Sequence, residues 1–115
     1  MTSAHKITIR PAGRYVEISL GGVTLAESDR AVLLQESGLR DRYYVPREDV
    51  RTEFLEPTQT ATTCPWKGAA SYWSVRVGDQ EYPDLVWSYQ DPIAGAEGIA
   101  GLLCFYAEKV EEKVS

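Results

Sequence analysis

The segment Thr63-Cys64-Pro65-Trp66-Lys67-Gly68, followed by Ala70-Ser71-Tyr72-Trp73, gathers a thiol, an amine and two indoles within eleven residues. A cysteine does chemistry as the thiolate, which needs a nearby cation or a set of backbone N–H groups. Lys67 supplies the first and a turn at Pro65 to Gly68 the second. Cys64 and Lys67 are therefore the candidate catalytic groups, as nucleophile or acid/base. The plainer role for Cys64 is a small packed side chain where a loop enters a strand. A Cys–His pair has only His5, close to the N-terminus, to draw on.

Lys67 beside Gly68 is also suited to hold a carboxylate or phosphate as a point charge, with the glycine admitting close backbone approach. The competing role is a pair with a neighbouring acid. No G-x-x-x-x-G-K-[ST] phosphate loop is present. Arg47 and Glu48 follow Pro46 and are candidates to face the same loop, although a buried Arg–Glu pair that fixes the fold is the simpler expectation. Trp66, Tyr72, Trp87 and Tyr89 are candidate walls for a flat ligand. Trp73 falls in phase with Val75 and Val77 and is assigned to the core. Asp91 could serve as a base, but Asp-Pro more commonly opens a turn. The candidate ligand-binding set is thus Arg47, Glu48, Cys64, Trp66, Lys67, Tyr72, Trp87 and Tyr89.

Two cysteines forty residues apart and one histidine cannot close a four-ligand zinc site, so neither metal nor cofactor is expected. Cys104, in the apolar run Leu102-Leu103-Cys104-Phe105, reads as a core residue. The chain of 115 residues is the size of one domain, 1–115, and can bury a core without staples. A net charge of −5 argues against a sequence-independent grip on nucleic acid. Arg40, Arg42, Arg47 and Arg51 interleave with Asp41, Glu48 and Asp49, which reads as self-compensated surface rather than an anion patch. No apolar run is long enough to cross a bilayer, and no apolar leader precedes the first strand. A cytoplasmic location is expected, with no membrane partner.

The elements that must position these groups are strands. Val16, Ile18 and Leu20 alternate with polar residues before Gly21-Gly22, and Val23 and Leu25 resume the period. Two glycines between alternating runs predict a two-residue hairpin pairing Leu20 with Val23, Ser19 with Thr24 and Ile18 with Leu25. A second turn at Gly78-Asp79 predicts Val75 opposite Tyr82 and Arg76 opposite Glu81. Pro83 should end or edge that strand, with a new one over Leu85 to Tyr89. Further strands are expected over 6–10, 30–36, 42–45, 52–56 and 101–107. Pro46 at N1 and the acids after it predict one helical turn, and 93–100 a weak short helix. The tail from Ala107 is open between helix and strand. The fold class is mainly β: a single compact domain of short antiparallel strands, as two packed sheets or an open barrel or tent-like arrangement, with one or two helical turns.

Several segments occur in a familiar order. They are Gly22-Val23-Thr24-Leu25-Ala26-Glu27-Ser28, Tyr43-Tyr44-Val45-Pro46-Arg47-Glu48-Asp49-Val50, Leu55-Glu56-Pro57-Thr58, the Thr63–Gly68 segment, and Tyr72-Trp73-Ser74-Val75. Trp87-Ser88-Tyr89-Gln90-Asp91-Pro92, Ile99-Ala100-Gly101 and Phe105-Tyr106 follow. Over about residues 7–110 this series resembles the domain-of-unknown-function family 427 (DUF427), also described as nucleotidyltransferase-like. The resemblance implies a mainly β fold and no established activity. The residues do not carry the nucleotidyltransferase description: Gly21-Gly22 falls in a hairpin turn rather than before a helix, and no Asp-x-Asp follows it.

The expected function is binding of a small, anionic metabolite in a pocket near the Thr63–Gly68 loop. The alternatives are an enzyme using Cys64 or Lys67 on a small organic or nucleotide substrate, and a non-catalytic oligomerising or interaction protein, with a homo-oligomer as one form it could take. The binding reading requires segments 46–49, 64–68 and 87–91 to converge.

Overall fold

The computed structural model describes residues 5–115; residues 1–4, on which part of the leader expectation rests, lie outside them. Ten strands run in chain order: β1 (Ile7–Pro11), β2 (Val16–Leu20), β3 (Val23–Ser28), β4 (Val32–Glu36), β5 (Arg42–Val45), β6 (Leu55–Cys64), β7 (Gly68–Val77), β8 (Gln80–Ser88), β9 (Leu103–Phe105) and β10 (Glu111–Val114). They form two antiparallel sheets: a seven-stranded one in the order β1-β4-β5-β9-β8-β7-β6, and a three-stranded one in the order β10-β2-β3. The mainly β expectation holds in its two-sheet form. Helix among the described residues is confined to 3-10 turns at Arg47–Asp49, Thr52–Phe54 and Glu97–Ile99. Pro46 caps the first of these from outside, in extended backbone, rather than standing at N1.

Both hairpins form, with a difference in each. Leu20 faces Val23 and Ser19 faces Thr24, but Ile18 faces Ala26 rather than Leu25. A bulge on β3 absorbs the extra residue and turns both Leu25 and Ala26 into the core, which strict alternation forbids. In the second hairpin Val75 faces Tyr82 and Arg76 faces Glu81, as the turn arithmetic requires. Pro83, however, ends nothing: β8 continues through it to Ser88 as an interior strand. The register slips between Val75–Tyr82 and Trp73–Val86, and this bulge takes Pro83 out of the ladder. Asp84 in the bulge has φ of 51°. Its N–H donates to Ser74 Oγ at 3.1 Å, and its carboxylate accepts from Thr58 and Thr60 at 2.7 and 2.6 Å.

Strand β6 was legible only in its first two residues. Its polar sequence LEPTQTATTC has no alternation, because β6 is a sheet edge and its side chains are mostly exposed. Residues 52–54 form a 3-10 turn instead of opening the strand. The tail resolves as strand β10, paired with β2 from Glu111–Ser19 to Val114–Val16.

Period-two alternation sorts the large sheet's residues onto two faces. Val45, Val75, Val86, Leu103 and Phe105 pack with Val16, Ile18, Leu25 and Ala26 of the small sheet and make the main core. Their neighbours Tyr44, Trp87 and Cys104 face the other way, with Leu34, Ala70, Tyr89 and Ile99. Among the described residues no second sheet covers that face. Residues 89–102 fold across part of it, anchored by Gly101 N–H to the Tyr89 carbonyl at 3.0 Å.

Candidate functional site

The uncovered face carries a cleft of about 420 Å³. Beneath it runs one row across four strands: Tyr44 on β5 lies opposite Cys104 on β9, Cys104 opposite Trp87 on β8, and Trp87 opposite Tyr72 on β7. Tyr44, Trp87 and Tyr72 line the cleft, and Cys104 is buried between them. Residues two places along each strand share the face. Arg42 therefore accompanies Tyr44, Tyr89 accompanies Trp87, and Tyr106 accompanies Cys104; all three line the cleft. Trp87 Nε1–H donates to the Tyr44 hydroxyl at 3.1 Å, which satisfies both polar atoms in the buried row. Burial raises the Tyr44 and Tyr89 hydroxyls and the Cys104 thiol well above their ordinary values, so all three stay neutral.

Lys67 enters from the turn that joins β6 to β7. Gly68 follows it with φ of +114°, a backbone conformation that other residues rarely adopt, and the backbone of Asp91 to Ile93 lies at contact distance, 3.4–3.5 Å from where a Cβ would stand. That close approach lets Ile93 N–H reach the Lys67 carbonyl at 3.0 Å, which fixes the turn over the cleft. Lys67 Nζ donates to Glu36 Oε1 at 2.5 Å, and both side chains are almost wholly buried, 11% and 5% exposed. His5 Nε2 lies 2.8 Å from the other Glu36 oxygen, and its ring stacks on Trp66 at 4.3 Å. Lys67 Nζ also stands 5.8 Å from the Tyr89 ring centre. Of the roles open to Lys67, pairing with an acid is the one the fold uses.

At the other end, Arg42 donates two parallel bonds to Glu108, Nη1 to Oε1 at 2.9 Å and Nη2 to Oε2 at 3.0 Å. Its guanidinium lies over the Trp87 and Tyr106 rings, 5.2 and 5.8 Å from their centres. Burial is the strongest single influence on Arg42 and opposes its charge, but the bond to Glu108 and the surrounding acidic groups together outweigh it and the pKa moves up. The same bond lowers the Glu108 carboxyl from an ordinary 4.5 to about 2. Arg40 Nη1 approaches Glu108 more loosely, at 3.7 Å.

Because the folded value of Glu108 lies below the ordinary one, this ion pair stabilises the fold in full above pH 4.5 and is lost as pH falls towards 2. Glu108 is 45% exposed, so solvent screens the effect. Glu108→Gln is expected to flatten the loss of stability between pH 4.5 and 2. Urea midpoints measured across that window test it, and parallel curves for variant and parent would exclude the assignment.

The residues expected from the sequence divide. Lys67, Tyr72, Trp87 and Tyr89 line the cleft. Trp66 does not; it is 49% exposed on the turn, against His5. Cys64, at the end of β6, is partly buried against the second cluster without lining the cleft. Arg47 and Glu48 are not the expected buried pair. Both are exposed, Arg47 lying 5.7 Å from the Trp73 ring centre and Glu48 3.6 Å from Arg30. Trp73 faces the main core while Tyr72 faces the cleft, so segment 46–49 does not converge with 64–68 and 87–91. Cys104 is the core residue expected. Among the described residues, no group of three His, Cys, Asp or Glu stands close enough to hold a metal ion, and no helix is long and apolar enough to cross a membrane.

Glu36, Arg40, Arg42, Tyr44, Tyr106 and Glu108 are cleft residues that the sequence reading did not select. Arg40 and Arg42 belong to the cleft and not to a self-compensated surface. Their partner Glu108 is 66 residues beyond Arg42, not among the interleaved acids. A signal was present in the alternation of Arg42 with Tyr44 and of Cys104 with Tyr106, but it needs the β5–β9–β8 pairing to be read.

No curated protein matches the chain. A family model does, over residues 8–115, which takes in every residue of the cleft and all of both sheets but Ile7; the chain belongs to the domain of unknown function family DUF427.

Proposed function

We propose that the protein binds a small, planar, anionic ligand in the cleft between the Lys67 turn and the Arg42–Glu108 pair. The observation that supports this most directly is the meeting of cations and ring faces on one side of an acidic chain. Arg40, Arg42 and Lys67 stand against Glu36 and Glu108 around Tyr44, Tyr72, Trp87, Tyr89 and Tyr106, while the chain as a whole carries −5. A local excess of positive charge in a concave site raises the local concentration of anions. A few fixed polar groups amid aromatic walls give orientation and affinity. The volume suits a ligand of metabolite size rather than a polymer.

A cation is the poorer fit. Rings of this kind hold cationic ligands when their faces are free, but here Arg42 already covers Trp87 and Tyr106, and Lys67 approaches Tyr89. The chain's own cations take the place a cationic ligand would need.

The test is thermal denaturation with aromatic carboxylates, nucleotides and sugar phosphates at millimolar concentration. A ligand of about 10 µM affinity at 1 mM should stabilise the fold by about 2.7 kcal/mol, a shift of several degrees. Arg42→Ala is expected to abolish the shift. Arg76→Ala, which removes an exposed arginine paired with Glu56 and Glu81 away from the cleft, is expected to keep it. Equal shifts in the two variants would place the ligand elsewhere.

A further inference from the structure

We propose that Glu108 is a resident stand-in for the ligand's own carboxylate: it occupies the Arg42 fork and gives way when an aromatic monocarboxylate enters the cleft. This rests on the reading of the cleft as an anion site and names the class of anion, together with the contact that restrains its entry.

The fork sets the class. Arg42 holds Glu108 through two parallel bonds of 2.9 and 3.0 Å, one to each oxygen, which is the complement of a planar two-oxygen group. Trp87 and Tyr106 carry the Arg42 guanidinium. Beyond them the cleft wall continues as aromatic through Tyr44, Tyr72 and Tyr89, so the body attached to the carboxylate is apolar and of aromatic size.

The two partners are held unequally, and this decides which one moves. Arg42 is on strand β5, its side chain is 21% exposed, and its guanidinium lies over two rings. Glu108 is 45% exposed on the turn Ala107–Lys109, which is closed by Lys109 N–H to the Tyr106 carbonyl at 2.9 Å. Glu108 can rotate into water without breaking a strand ladder, whereas Arg42 cannot leave without uncovering Trp87. Arg40, 53% exposed and 3.7 Å from Glu108, can follow either carboxylate. Glu108 also stays ionised at every pH of ordinary use, so protonation does not clear the fork and an incoming anion must displace it. A ligand that binds only when Glu108 is turned out has its apparent affinity reduced by the fraction of time the fork is open.

Isothermal titration of the full chain with benzoate, benzamide and phenyl phosphate tests this in the parent, Glu108→Gln and Glu108→Ala. Two variants on an exposed turn guard against a folding defect in one. Benzoate is expected to bind about tenfold more tightly to both variants than to the parent, with benzamide unchanged. Benzoate binding that is equal or weaker in the variants would overturn the proposal, and a fall would identify Glu108 as the residue that orients Arg42 for the ligand. A gain for phenyl phosphate without one for benzoate would overturn the carboxylate class. Failure of the parent and both variants to bind any of the three would instead overturn the anion-site reading on which the proposal stands.

Discussion

Lys67→Ala is expected to cost about 3 kcal/mol of stability, because it strands a carboxylate inside the protein. Glu36 is 5% exposed, and one of its oxygens accepts the Lys67 ammonium at 2.5 Å. Removing the lysine leaves a buried charge with His5 on its other oxygen as its remaining polar partner among the described residues. Most of the loss is therefore the stranded charge and not the worth of the contact itself. It follows that removing both ends should hurt less than removing one. Lys67→Met combined with Glu36→Gln is expected to recover most of the loss, with the methionine refilling the space of the lysine stem. Urea denaturation of the parent, Lys67→Ala and the double variant decides the matter. A loss under about 1 kcal/mol in Lys67→Ala would mean that water reaches Glu36 and the pair behaves as a surface one.

That pair marks the boundary between what the chain makes plain on its face and what it does not. The turn carrying Lys67 is visible because proline, glycine and a change of composition mark it locally. Its partner Glu36 is 31 residues upstream at the end of β4, and nothing near either residue points to the other. The same holds for Arg42 and Glu108. Hairpins at Gly21-Gly22 and Gly78-Asp79 were legible because the residues that pair are neighbours in sequence. The row Tyr44–Cys104–Trp87–Tyr72 was not, since it depends on β9 inserting between β5 and β8 from the far end of the chain. Arg47 shows the converse error. It is close to Tyr44 in sequence, but the strand ends at Val45 and the following 3-10 turn carries it to the opposite face, over Trp73.

The two faces of the large sheet should also part under mutation, and most sharply at Phe105 and Tyr106. Phe105 is 1% exposed, pairs across to Val86, and packs with the small sheet. Phe105→Ala removes a large ring from a core closed on both sides, where neither sheet can collapse onto the gap without breaking its ladder. A loss of about 4 kcal/mol is expected. That is a large fraction of the total stability typical of such a domain, so the variant should show a much lower urea midpoint with an unchanged slope. Tyr106 is the next residue, yet it is only half-buried and opens on the cleft, beneath Arg42. Its truncation removes a ring with no second sheet above it, so the stability loss should be well under that at Phe105. Comparable losses at the two positions would mean that the cleft face is packed as tightly as the core. In that case the rings gathered there would be structure first, and the cleft would have to open before it could admit any ligand.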